Sequence, residues 1–272
     1  MKPAAPEKIA RALTIAGSDS GGGAGIQADL KTFAAFSVYG ASAIVALTAQ
    51  NTREVTAIHE VPPHIVRAQI EAVVSDIGVD AAKTGMLGSS LLVETVAEAV
   101  AALGIPNLVV DPVMVSKAGA PLLKPEAVET LRRRLLPLAR IVTPNLPEAE
   151  ILSETKLDGP EALRRAAREI LGMGPRAVVI KGGHGGGDPV DLFFDGVSFQ
   201  EFGGARIRTR SDHGTGCTFS AAIAALLARG EELRKAVEEA KRYVEGAIRS
   251  ARPIGSGHGP LNHFYRFITA KD

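Results

Sequence analysis

The sequence predicts an α/β fold, ribbed by a central, mostly parallel sheet with helices on both faces. Three observations carry this expectation. Short runs rich in Val, Ile, Leu and Ala alternate with helical segments along the whole chain, the pattern of strand-and-crossover units. The runs are almost wholly apolar, as strands covered on both faces must be. Each run leads into a polar or glycine-rich step, which is where open parallel sheets hold their ligands.

Strands are expected at Ala12–Ala16, Ala43–Ala49, Asp80–Thr84, Leu108–Asp111, Arg140–Thr143 and Ala177–Lys181. Helices between them are expected near Gly25–Phe36, Pro63–Ile77, Ser89–Leu103, Pro125–Leu135, Leu146–Leu152 and Pro160–Leu171. Asp195-Gly196-Val197, between Asp191–Phe194 and Ser198–Phe202, reads as the turn of an antiparallel hairpin at the sheet edge. Two helices close the chain, Gly216–Leu227 and Glu232–Ile248. The second carries Arg, Lys and Glu on most faces and reads as a solvated surface with i,i+4 ion pairs. No repeat or low-complexity linker interrupts residues 1–272, so one domain is expected, with residues 1–10 as a disordered lead.

Composition narrows the function classes. A chain of 272 residues with 46% hydrophobic content can bury one large core. A net charge of +1 offers no field for nucleic acid or an anionic membrane surface. No apolar run is long enough to span a bilayer, and the first residues carry no secretory signal. The single cysteine excludes a disulfide framework and fits a reducing cytoplasm.

The most informative stretch is Gly214-Thr215-Gly216-Cys217, which opens a helix with small residues and a thiol. Free N–H groups and the dipole at a helix start form an anion site. Two glycines let a phosphate approach the backbone, and the same environment favours a thiolate, which makes Cys217 a candidate base. The other strand ends carry Gly17–Gly25, Gln50-Asn51, Lys83-Thr84-Gly85-Met86, Asp111-Pro112-Val113-Met114, Thr143-Pro144-Asn145 with Glu148, and Lys181-Gly182-Gly183-His184. Any one of these could be a turn. Together they read as the rim of one cleft.

Asp29 lies on the same helix face as Ile26, Leu30 and Phe33. A buried carboxylate needs a donor, either a ligand amine or a backbone amide of the glycine loop. The loop Gly17–Gly25 has neither a Gly-Lys-Ser/Thr ending nor G-x-G-x-x-G spacing, and reads as a flexible turn covering the substrate. His59, His64, His184, His213, His258 and His263 show no metal-binding spacing. His213 adjoins the anion site, where it meets either a phosphate or, in a surface or capping role, none.

Taken in order, Gly17-Ser18-Asp19-Ser20-Gly21-Gly22-Gly23-Ala24-Gly25-Ile26-Gln27-Ala28-Asp29-Leu30-Lys31, Ala49-Gln50-Asn51-Thr52, Lys83-Thr84-Gly85-Met86-Leu87, Asp111-Pro112-Val113-Met114, Thr143-Pro144-Asn145-Leu146-Pro147-Glu148-Ala149, Lys181-Gly182-Gly183-His184 and His213-Gly214-Thr215-Gly216-Cys217-Thr218 resemble the hydroxymethylpyrimidine/phosphomethylpyrimidine kinases. That family serves thiamine biosynthesis within the ribokinase-like superfamily. The resemblance runs from about residue 11 to Gly257-His258-Gly259-Pro260. It implies ATP-dependent, Mg²⁺-assisted phosphorylation of 4-amino-5-hydroxymethyl-2-methylpyrimidine and of its monophosphate to the diphosphate.

Residue by residue, the resemblance implies that Asp29 and Gln50 hold the aminopyrimidine between apolar walls of Met86 and Val113. Asn145 and Glu148 match an Asn-x-x-Glu that organises Mg²⁺ and phosphates through water, and Asp111 faces the same region. Lys181 and Thr215 are expected on the ATP phosphates, with Gly214 and Gly216 shaping the anion loop. Cys217 stands where most of the superfamily has an aspartate base, and the sequence leaves open whether the helix start lowers the thiol or nearby phosphate charge raises it. Ser211-Asp212 replaces the Asn-Thr expected before His213, and Asp212 is a disfavoured substitute base. Pyridoxal kinase is the neighbouring alternative, against which Asp29 with Gln50 favours an aminopyrimidine. The resemblance further implies a cytoplasmic homodimer whose other partners are small molecules.

Overall fold

The computed structural model describes residues 9–115, 122–184 and 188–267. Among these residues nine strands form one sheet: β1 Arg11–Asp19, β2 Tyr39–Gln50, β3 Val55–Glu60, β4 Ala81–Thr84, β5 Leu108–Val110, β6 Ile141–Val142, β7 Val178–Ile180, β8 Asp191–Phe194 and β9 Phe199–Phe202. Their spatial order is β3-β2-β1-β4-β5-β6-β7-β8-β9. The six strands from β2 to β7 in that row run parallel. The antiparallel pairs, β2 with β3, β7 with β8 and β8 with β9, lie at the two edges. Register sets Ile15 beside Thr84, Thr84 beside Val110 and Val110 beside Val142, so the central strands end in line on one rim.

Alternation along each strand divides the core in two. Leu13, Ile15, Val110, Val142 and Ile180 face one side, Ala12, Val109, Ile141 and Val179 the other. The first face is covered by α2 Pro63–Ala72, α3 Ser90–Ala102, α4 Pro125–Thr130, α5 Leu146–Ser153 and α6 Pro160–Gly172, through side chains such as Ile70, Val96 and Ile170. The second is covered by α1 Gly25–Ala35, α7 Thr215–Ala228 and α8 Leu233–Arg249, through Phe33, Ile223 and Tyr243. From Thr218 to Leu227 every residue of α7 is buried, because α8 closes over its outer side.

All six expected buried strands and the edge hairpin are present. β3 was not expected. Its residues Thr56–His59 are exposed, so no burial pattern marks them, and the strand exists because β2 overhangs the sheet and offers it a partner from Ala46 to Gln50. The helices starting at Pro63 and Pro125 finish in wider π-type turns, Val73–Ile77 and Leu131–Leu135. In α8 the expected polar surface is only one side. Leu233, Ala236, Val237, Ala240, Tyr243, Val244 and Ala247 form a buried stripe, and ion pairs such as Arg249–Glu245 line the opposite side. Most of the expected disordered lead, residues 1–8, lies outside the described residues. No helix among the described residues is long and apolar enough to cross a membrane.

Candidate active site

At the end of β1, Asp19 gathers the glycine loop. Its carboxylate accepts from the amides of Gly21 (2.8 Å), Gly23 (3.0 Å) and Ala24 (2.8 Å). Ala24 caps α1 without a side-chain acceptor of its own, and its N–H, a free donor at the helix start, is taken by Asp19. Lys31 Nζ donates to the Gly22 carbonyl, and Gln27 bridges Asp19 N and Ser18 Oγ. The expected flexible turn is therefore a tied loop. Met86, 9% exposed, packs its methyl against Gly17 at the loop's start.

His213 has neither the surface nor the capping role. It is buried, and its Nε2 lies 3.0 Å from Asp19 Oδ2 and 3.2 Å from Gln50 Nε2. Gln50, at the end of β2, is half-buried, with Oε1 3.2 Å from Thr48 Oγ1. Val113 is also half-buried, in a turn closed by its amide on the Asp111 carbonyl.

Asp29 departs from expectation. Its side chain is fully buried, Thr14 Oγ1 donates to Oδ2 at 2.6 Å, and Lys83 Nζ lies 2.9 and 3.1 Å from its two oxygens. The donor it needed is a lysine of β4, neither ligand nor backbone, so Asp29 presents no free carboxylate to a ring. Burial alone would lower the Lys83 ammonium, but the carboxylate of Asp29, then Cys217 and Asp111, hold it above the ordinary range. Gly85 leaves the space the ammonium needs, since a Cβ there would stand 2.7 Å from Nζ.

The phosphate end forms around the start of α7, where helix geometry leaves the N–H groups of Thr215, Gly216 and Cys217 without intrahelical acceptors. Gly214 has φ +83°, and its Cβ side is filled by the Gly23 carbonyl. That glycine therefore serves contact with the glycine loop, a correction to its expected role of admitting phosphate. Gly216 does open the backbone: a Cβ there would stand 3.1 Å from Lys181 Nζ and 3.7 Å from Asp111 Oδ2. Thr215 Oγ1 donates to the Asp212 carbonyl at 2.7 Å, and the Asp212 carboxylate engages His258 Nδ1 at 2.8 Å.

Lys181 Nζ lies 2.9 Å from Asp111 Oδ1, where Thr143 Oγ1 also donates, while Ser220 Oγ reaches Oδ2 at 3.3 Å. Burial pushes the Asp111 carboxyl up, but Lys181 and Lys83 hold it below the ordinary range. Asn145 and Glu148 form a capping box on α5: Glu148 N donates to Asn145 Oδ1 at 2.9 Å and Asn145 N to Glu148 Oε2 at 2.8 Å. Burial raises the Glu148 carboxyl to about 7, against the pull of Lys181 and with a further push from Asp111. For Cys217 burial also prevails. Despite Lys83 and the Gly25 amide at its sulfur, the thiol is pushed up to about 11, so it is neutral at neutral pH and does not fit a thiolate base.

Among the described residues no cluster of three or more His, Cys, Asp or Glu forms a metal cage. Asp111 and Glu148 both lie within the field of Lys181 and supply two hard carboxylate donors. That sparse set, with a buried carboxyl short of positive charge, fits a largely hydrated Mg²⁺.

Asp19, His213 and Lys83 are the residues whose parts sequence reasoning missed. A lysine inside the apolar run Ala81–Thr84 is itself a signal of a buried counterion, and an Asp before a glycine run is one of an amide-collecting turn.

The phosphomethylpyrimidine kinase family model matches residues 19–262. A hydroxymethylpyrimidine/phosphomethylpyrimidine kinase of Rhizobium meliloti is 53% identical over 94% of this chain and 97% of its own length. The thiamine biosynthesis bifunctional protein ThiED of Geobacter sulfurreducens is 53% identical over 98% of this chain, which spans only 55% of that longer protein. Among solved structures, the ADP complex of Bacillus subtilis pyridoxal kinase superposes with a TM-score of 0.89 at 39% identity, covering 96% of this chain and 100% of that one. The phosphomethylpyrimidine kinase of Clostridium difficile does so with a TM-score of 0.80 at 46% identity, covering 89% and 100%. With strands ending on one rim and buried polar side chains gathered along it, this chain has the ribokinase-like fold and belongs to the phosphomethylpyrimidine kinase family.

Proposed function

We propose that this chain transfers the γ-phosphoryl group of ATP to the hydroxymethyl oxygen of 4-amino-5-hydroxymethyl-2-methylpyrimidine, then to the resulting monophosphate, giving the diphosphate. The observation that carries this reading is the interlock of a polar end, Gln50 with His213, to an anion end, Lys181 with the start of α7, through Gly23 against Gly214. Gln50 reads the ring edge, and Met86 and Val113 flank the ring. Lys181, oriented by Asp111, neutralises phosphate charge, while the N–H groups of Thr215, Gly216 and Cys217 receive the equatorial oxygens.

Asp111 and Glu148 would hold Mg²⁺, which when bound offsets the charge of the phosphates. Phosphoryl transfer is loose and asks little of a base at the attacking oxygen. A neutral Cys217 therefore acts as part of the anion hole. The second transfer starts from a phosphate oxygen already ionised near neutral pH. A cytoplasmic homodimer is part of the same reading and rests on the family resemblance.

The test is an ATP-consumption assay offering hydroxymethylpyrimidine, its monophosphate and pyridoxal side by side. Turnover of both pyrimidines is expected. A clear preference for pyridoxal, the substrate in the name of a structure with a TM-score of 0.89, overturns the reading.

A further inference from the structure

Gln50 stands between two groups whose protons are already committed. Its Nε2 lies 3.2 Å from His213 Nε2 and its Oε1 3.2 Å from Thr48 Oγ1. His213 Nε2 is closer to Asp19 Oδ2, at 3.0 Å, and that oxygen also accepts from the amides of Gly23 and Ala24. Burial raises the Asp19 carboxyl, but the His213 hydrogen bond and the Ala24 and Gly21 amides bring it below the ordinary range. An ionised carboxylate only accepts. The proton between Asp19 and His213 is therefore on Nε2, which leaves that nitrogen no lone pair for an amide N–H.

The other end gives the same answer from separate atoms. Thr48 Oγ1 has one proton, and the Ser18 carbonyl, which can only accept, lies 2.9 Å away. With its proton there, the hydroxyl meets Gln50 as an acceptor.

From both ends we infer that Gln50 works with its oxygen sharing the His213 Nε2–H with Asp19 Oδ2 in a three-centre bond and its nitrogen donating to Thr48 Oγ1, and that His213 is a positioning residue for the ring-edge reader. The two ends of a carboxamide have nearly the same shape, so a half-turn of the last side-chain bond makes this exchange without repacking. Resting on the reading of Gln50 as ring partner, the arrangement leaves one N–H and one carbonyl lone pair for the ligand, in a fixed order. It selects a heteroaromatic edge that offers an acceptor and a donor in the complementary order, as an amine beside a ring nitrogen does. An edge in the reverse order sets donor against donor. His213 also links this choice to the phosphate end, since it directly precedes Gly214 and its ring packs on Gly23.

Long-range ¹H–¹⁵N correlation on the intact enzyme with ¹⁵N-labelled histidine tests the proton directly, the His213 signals being assigned by their loss in His213→Gln. A proton on Nε2 is expected, and a bare Nε2 overturns the inference whatever the substrate. In kinetics, His213→Phe should raise the pyrimidine KM roughly tenfold or more, with kcat and the ATP KM held within about twofold. His213→Gln, which returns an amide N–H close to the lost one, should recover most of the difference. A pyrimidine KM unchanged in His213→Phe, or a loss confined to kcat, overturns the positioning role. Gln50→Ala separates the two readings: an unchanged pyrimidine KM there removes Gln50 as ring partner, while a protonated Nε2 still upholds the hydrogen-bond assignment.

Discussion

Glu148→Gln should make the metal-free protein more stable at pH 8 and less active. Burial lifts this carboxyl from 4.5 to about 7. At about 1.4 kcal/mol per tenfold in proton affinity, ionising it in the folded chain costs up to about 3 kcal/mol. The folded state holds the proton more tightly than the unfolded one. The resulting stabilisation is present in full below pH 4.5 and is lost as pH rises through about 7. Glutamine copies the shape and neutrality of the protonated acid and keeps an oxygen for the Asn145 amide.

Urea unfolding of both proteins without metal should therefore give similar stabilities near pH 4.5 and diverge above it. By pH 8 the variant should lead by up to about 3 kcal/mol. Adding Mg²⁺ at pH 8 should narrow the gap by stabilising the wild type preferentially. Parallel pH profiles, or a variant weaker than wild type at pH 8, would refute the claim that burial leaves this carboxylate short of positive charge.

Lys83→Met should destabilise by about 3–5 kcal/mol, because Asp29 is left buried without its cation, and adding Asp29→Asn should recover most of the loss in denaturant melts. A double variant no better than Lys83→Met would contradict a pairwise ion pair. Cys217→Ala should slow both phosphorylations by similar factors in rapid-quench assays, since a thiol at about 11 is not the base of the first step. A loss confined to the alcohol step would restore the thiolate. Gly214→Ala should lower Tm strongly, with φ +83° and the Gly23 carbonyl both opposing a Cβ. Gly216→Ala should fold and lose kcat, because its Cβ crowds a movable lysine end, and equal Tm losses in the two variants would count against that distinction.

Much of the polar rim was legible because strand ends announce themselves locally. A buried run such as Val109-Val110 that stops at Asp111, or Ile141-Val142 that leads to Asn145 and Glu148, marks both the strand and the polar position beyond it. The parallel sheet follows from runs too apolar to face water on either side. The start of α7 could be found the same way, since a helix N-terminus is an anion site wherever it occurs. β3 could not, because its exposed residues take their strand form from β2 alone.

Local pattern thus determined the six buried strands and the edge hairpin, the order of the helices and which residues stand at the carboxyl rim. Partnership was decided only in three dimensions. Asp29 is committed to Lys83 from 54 positions away, and His213 to Asp19 from 194 positions away, distances over which sequence carries no pairing signal. Cys217 depends on packing in the same way: a helix start argues for a thiolate, but burial, with Asp29 and Asp111 adding to it, pushes the thiol up against the pull of Lys83 and the Gly25 amide. Residue types and spacing announce which groups a site contains; charge and hydrogen-bond direction depend on what packing excludes from water and on which donor arrives first.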